Sequence, residues 1–178
     1  MPDLLGQEEY HANARASERR TLSHHGAAGK SVLYWLEKER AEVHITAHVS
    51  SSVSSHTVWV STDGNSRPLE IPPEPNGQGS AVNGGELLML ALATCYCNDV
   101  YREAARLKIQ IDKVDVEASA DFAGVGLAAS NIRYRARVSS PADDEHVAAL
   151  LRETDAVAEI HNTVRKGVPV QLLPWWTE

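Results

Sequence analysis

From Asn83 to Leu107 the chain reads NGGELLMLALATCYCNDVYREAARL, and its hydrophobic pattern changes halfway along. Leu87 to Ala93 is apolar at every position and leaves no face for water, the mark of a helix buried on all sides. From Asn98 onward, Val100, Tyr101, Ala104, Ala105 and Leu107 form a single apolar stripe, with Asn98, Asp99, Arg102, Glu103 and Arg106 on the opposite face. Asn83 is placed to cap the start, and Glu86 three residues later to bond back to the cap's own amide. The pattern predicts one central helix, about 36 Å long at ~1.5 Å per residue. Its wholly apolar run is far too short to cross a bilayer.

Shorter elements are predicted on either side. Ser31 to Leu36 is a short aromatic strand, and Val43, Ile45, Ala47 and Val49 alternate with His44, Thr46 and His48 as in a half-buried strand. His44 and His48 share its polar face about 13 Å apart, too far to hold one ion, and are read as solvated. Val58 to Val60 forms the next strand, and Thr62-Asp63-Gly64-Asn65 the turn after it. Residues 66–82, rich in proline and glycine, form a loop feeding the helix, a common frame for a site. Beyond the helix, Val114, Val116, Ala118, Ala120 and Phe122 alternate with acids, and Ile132, Tyr134, Ala136 and Val138 alternate with Arg133, Arg135 and Arg137. Residues 123–130 join them as an antiparallel hairpin. Its acidic outer row lies against its basic one, which accounts for the arginines better than a nucleic-acid ribbon does.

Ser140-Pro141 is expected to open a helix with apolar Val147, Leu150 and Leu151, and Thr154-Asp155 a second one that stops at Gly167. A last strand, Val168 to Leu173, leads to Trp175 and Trp176, expected to pack on the domain or on a second subunit. The order of elements gives an α+β fold with mainly antiparallel sheet.

Composition narrows the function classes. The chain has 178 residues and a net charge of -7, which disfavours nucleic acid and anionic membranes as partners. Residues 1–30 read as a polar N-terminal extension and residues 31–178 as one domain. The N-terminus lacks a basic stretch followed by an apolar core, so no secretory signal is read, and the His24-His25 pair alone does not make a metal site. The two cysteines, Cys95 and Cys97, are one residue apart, which suits free thiols in a reducing cytoplasm. Residues two apart on a helix point about 200° from one another, so the pair cannot face one pocket or bond to each other. One faces a site or interface and the other is filler. No phosphate loop, zinc spacing or nucleophile elbow accompanies them, and no cofactor or metal is expected. A buried cysteine is either a reactive thiol or a small hydrophobe, and the residues alone leave both open.

Two segments resemble a known family. Glu86-Leu87-Leu88 followed by Ala91-Leu92-Ala93-Thr94-Cys95, and His161-Asn162-Thr163-Val164-Arg165-Lys166-Gly167-Val168-Pro169-Val170, are similar to signatures of the OsmC/Ohr family of thiol-dependent organic hydroperoxide reductases and their relatives. The resemblance covers about residues 40–173. It implies an OsmC-like domain over 31–178, with antiparallel sheets wrapped around paired central helices in an intertwined homodimer. It also implies active sites at the subunit interface. Cys95 falls on the peroxidatic cysteine, and Glu86 is a candidate supporting residue. The family's resolving cysteine falls near Ala158-Glu159, where this chain has none. The peroxidases' glutamate falls on Gly85, and their arginine has no counterpart in Val49 to His56; Arg67 or Arg133 is a candidate replacement. The resemblance implies a thiol peroxidase in oxidative stress defence, taking small organic hydroperoxides and regenerated by an external thiol. The alternative is a non-catalytic member of the same fold that binds an apolar small molecule.

Overall fold

A computed structural model describes residues 42–175. In chain order the elements are β1 (Ile45–Ser51), β2 (His56–Thr62), β3 (Asn65–Pro68), α1 (Gly84–Leu107), β4 (Lys113–Asp121), β5 (Ser130–Ser139), α2 (Asp144–Val157) and α3 (Glu159–Lys166). The expected strand at Ser31–Leu36, the His24-His25 pair, the N-terminal extension and Trp176 lie outside the described residues. Among those residues no helix is long and apolar enough to cross a membrane.

The chain divides into two compact units. One holds Val58–Leu69 with the described residues up to His48; the other holds Val49–Thr57 and everything described from Glu70 onward. In the first, β2 and β3 pair antiparallel around a two-residue turn, with Asp63 at φ 48° and Gly64 at φ 79°. Two left-handed residues in succession match the twist of a hairpin, and Asp63 and Gly64 tolerate that conformation better than most residues. Asp63 also exchanges bonds with His44: its carboxylate accepts from the His44 amide at 2.9 Å, and its own amide donates to the His44 carbonyl at 2.9 Å. The proline-rich stretch begins with strand after all, since Asn65–Pro68 completes the sheet in the order β1-β2-β3.

The second unit is built on α1. Asn83 and Glu86 form the expected capping box, and the helix ends where Lys108 turns left-handed at φ 59°. Buried positions follow Leu92, Tyr96, Val100 and Ala104, one residue every turn, and the last three pack with Leu150 and Ala158 in the core. Against that stripe lie Val114 and Val116 of β4 and Tyr134, Ala136 and Val138 of β5. The acidic outer row of the hairpin faces the basic one as expected, in a register that pairs Asp115 with Arg137 and Glu117 with Arg135, each joined by an ion pair.

Several expectations need correction. Asp99 and Glu103 are buried beside the stripe and Tyr101 and Ala105 are exposed, because the stripe lies about one residue's rotation from where hydrophobicity alone put it; the arginines at 102 and 106 neutralise the buried acids. The apolar front of α1 is not enclosed among the described residues, Leu90 being 58% exposed. Helix α2 is capped by Asp143, whose carboxylate accepts from the His146 amide, and not by Ser140. The Ser140 hydroxyl instead donates to the Gln110 carbonyl at 2.6 Å and accepts from the Ala142 amide, holding a turn ahead of the helix. Thr154 does not open α3. Its hydroxyl donates to the Leu150 carbonyl inside α2, which runs on to Val157. Val168–Leu173 makes no strand pairing among the described residues, and Trp175 is 87% exposed.

Candidate active site

Cys95 lies at mid-length on α1, its side chain half-buried. One turn further on the same face is Asp99, 4% exposed. The Cys95 thiol donates to Asp99 Oδ2 at 3.4 Å, and Arg102 binds Asp99 Oδ1 from the other side at 2.8 Å. Arg102 also reaches Glu159 Oε1 at 3.4 Å and Glu103 Oε1 at 3.3 Å.

Glu159 arrives with the first turn of α3. The α2–α3 joint is Ala158, fully buried, and small enough to sit in the core with Tyr96 and Val100. As an alanine it supplies no side-chain cap to α3, so the first amides of that helix are left for other acceptors. The Ile160 amide is directed at the Cys95 sulfur. The first turn of α3 thus brings an acid, Glu159, beside the thiol.

Opposing influences set the thiol's acidity. Burial raises its pKa most; the Ile160 amide pulls it down, and the Asp99 and Glu159 carboxylates push it up. Burial also raises Asp99, against the pull of the Cys95 hydrogen bond and the Arg102 charge. Burial thus disfavours the charged form of both members of the pair. Sulfur and carboxylate atoms of Cys95, Asp99 and Glu159 lie within 4.8 Å of one another, a set of donors that suits a divalent ion. Arg102 already bridges the two acids, however, its Nη1 lying 2.8 Å from Asp99 Oδ1 and 3.4 Å from Glu159 Oε1.

Tyr96, next along the helix, locks this part of α1 to its neighbours. Its hydroxyl donates to the Leu151 carbonyl at 2.7 Å, and its ring lies 4.8 Å from that of Tyr134 and 5.6 Å from that of His161. The Tyr134 hydroxyl bonds the Asp155 carboxylate, which Arg165 also holds at 2.5 Å. Burial together with the Asp155 charge pushes Tyr134 up to about 12.

Other residues singled out from the sequence lie elsewhere. Glu86 belongs to the capping box, its Oε2 accepting from the Asn83 amide at 2.8 Å. Nine residues of helix, about 13 Å at ~1.5 Å each, separate it from Cys95. Gly85 is crowded, since a Cβ there would lie 3.0 Å from the Phe122 ring and 3.2 Å from Asn83 Oδ1. A glutamate at this position would require the ring to give way. Cys97 is half-buried, and α1 is continuous through both cysteines, which are free thiols pointing apart. Arg133 stands opposite Ser119 on the hairpin, and Arg67 belongs to the other compact unit. The guanidinium that reaches the thiol's acceptor is Arg102, together with Asp99 and Glu159 a member of the site not picked out from sequence. The signal was the spacing 95, 99, 102 along one face of a helix.

A family model described as OsmC-like protein matches residues 77–173. Among solved structures, the chain is similar to an organic hydroperoxide resistance protein OsmC from Legionella pneumophila, also described as a predicted redox protein and regulator of sulfide bond formation. That similarity is 18% identity over 71% of this chain and 92% of the other, with a TM-score of 0.50. It is likewise similar to an OsmC like protein from Mycoplasma pneumoniae, with 18% identity over 71% of this chain and 89% of the other and a TM-score of 0.51. At these identities the likeness concerns the fold, and the arrangement of antiparallel sheets and helices is that of the OsmC structures. No curated protein matches the chain in sequence.

Proposed function

Because the chain belongs to the OsmC-like protein family, with Cys95 inside the matched region, we propose that it is a thiol-dependent reductase of organic hydroperoxides acting in oxidative stress defence. Cys95 is its peroxidatic residue. Its sulfur attacks the outer peroxide oxygen, the O–O bond breaks, and the sulfur becomes a sulfenic acid while the peroxide leaves as the alcohol. One external thiol then forms a mixed disulfide with Cys95 and releases water. A second thiol frees Cys95 and leaves as the disulfide. Cys97 cannot act as resolver across a continuous helix, which is why the reductant must come from outside. The protein works as a cytoplasmic homodimer, whose second copy covers the open apolar front of α1.

The observation that carries this reading is the Cys95 thiol bonded to a buried carboxylate acceptor, beside an uncapped helix amide. Thiols held this way are equipped for proton transfer, which a filler cysteine has no use for. The raised thiol pKa, set first by burial, favours a second reading in which Cys95 is the wall of a pocket for a small apolar molecule.

One experiment separates the two. Reduced protein is given one equivalent of cumene hydroperoxide with dimedone present and examined by mass spectrometry, alongside Cys95→Ser. We expect a sulfenic-acid adduct on Cys95 within seconds and none in the variant. Oxidation of both cysteines no faster than a free thiol would leave the binding reading.

A further inference from the structure

A thiol of raised pKa carries little thiolate near neutral pH, so its attack on a peroxide must be coupled to removal of the proton. The alkoxide that departs is strongly basic and needs a proton in return. Both transfers call for one group within bonding reach of sulfur, and Asp99 Oδ2 accepts from the Cys95 thiol at 3.4 Å. The opposite oxygen of that carboxylate is held by Arg102 at 2.8 Å, which fixes the plane of the group and turns Oδ2 to the sulfur. Glu86 is held in the helix cap and Glu103 by Arg102 and Arg106, and among the described residues the thiol's side-chain hydrogen bond goes to Asp99 and not to Glu159.

Building on the peroxidase reading above, we propose that Asp99 is the catalytic base and acid of this site, taking the thiol proton as Cys95 attacks and returning it to the alkoxide. Stepwise, the S–H proton passes to Asp99 Oδ2 as the sulfur bonds to the outer peroxide oxygen. The O–O bond breaks, its electron pair going to the inner oxygen, and the outer oxygen keeps its hydrogen as the sulfenic acid. The Asp99 proton then neutralises the alkoxide, which leaves as the alcohol. Sulfur is oxidised by two electrons and the peroxide is reduced by the same two. Burial raises the basicity of Asp99, which favours its taking a proton. Charged groups facing the pair are Arg102 and Glu103 from α1 and Glu159 from α3.

Two rates at Cys95 in opposite directions test this. Alkylation by iodoacetamide needs only thiolate, whereas peroxide reduction also needs the returning proton. Asp99→Asn removes the charge that raises the thiol pKa, so alkylation at pH 7 should become several-fold faster. Single-turnover oxidation by cumene hydroperoxide should become about 100-fold slower, the scale of general acid–base catalysis. Its rate should also climb about tenfold per pH unit below the thiol pKa, as solvent-generated thiolate requires, while the parent protein shows a shallow profile. Asp99→Glu should restore the shallow profile, and Asp99→Ser carries the same contrast if Asp99→Asn does not fold. Two rates that fall together, or an unchanged peroxide rate, would overturn the role of Asp99. A parent protein that reacts with peroxide no faster than a free thiol overturns the peroxidase reading, and this inference with it.

Discussion

His161 is the residue least at ease in this fold. It is 3% exposed, and neither ring nitrogen has a hydrogen-bond partner among the described residues. Edge-on contacts enclose it instead, with Tyr134 at 4.4 Å and Tyr96 at 5.6 Å between ring centres. Burial and then the Arg165 charge hold its pKa below the ordinary value of 6.5, with Asp155 pulling the other way. The sign of the linkage follows. Below 6.5 the unfolded chain takes up a proton that the folded one refuses, so stability falls as pH drops, until the lower folded pKa is reached. Within that window the slope approaches about 1.4 kcal/mol per pH unit for one proton. Urea melts between pH 5 and pH 7 should therefore show a steeper loss in the parent protein than in His161→Leu. Parallel curves for the two proteins would remove His161 from the account of acid sensitivity.

Among the elements, local rules were legible and long-range ones were not. The cap at Asn83 and the turn at Asp63-Gly64 could be read because each is set by residues a few positions apart, and the facing of acids and arginines on the β4–β5 hairpin because alternation within each strand shows which residues share a face. The boundary between α2 and α3 was misplaced because Thr154 looks like a cap in sequence but bonds back into its own helix, and the break falls at an alanine chosen by the core. The site shows the same division. Cys95 was singled out by the family resemblance, its setting alone leaving it open between reactive thiol and small hydrophobe. Asp99 and Arg102, by contrast, were assigned to a solvent face, since hydrophobicity does not reveal that an acid is buried with its counter-ion. Glu86 was picked as a helper of the thiol but sits in the cap. Its neighbour Asn83 gives the check: Asn83→Ala removes the cap bond at 3.0 Å and should cost about 1 kcal/mol in urea denaturation. Cys95 oxidation should be unaffected in Asn83→Ala and in Glu86→Gln. A slower peroxide step in Glu86→Gln, with stability intact, would instead give that carboxylate a chemical part.

At the scale of the whole molecule, apolar surface stands open among the described residues. Leu90 is 58% exposed on the helix that carries the thiol, five residues before it. Val170 and Leu172, in the tail after α3, are 98% and 100% exposed. Hydrophobic side chains on a central helix contribute little unless buried, about 1.5–3 kcal/mol each for a leucine or valine. The homodimer proposed above buries them, and in a two-fold dimer each position counts twice. Light scattering on the eluting peak should then give twice the 19.4 kDa of one chain. Leu90→Glu places a charge in both copies of the contact at once and should shift the mass toward a single chain while far-UV circular dichroism stays unchanged. If the parent protein elutes with the mass of one chain at micromolar concentration, the apolar front of α1 is covered by something other than a second copy, and the homodimer must be given up.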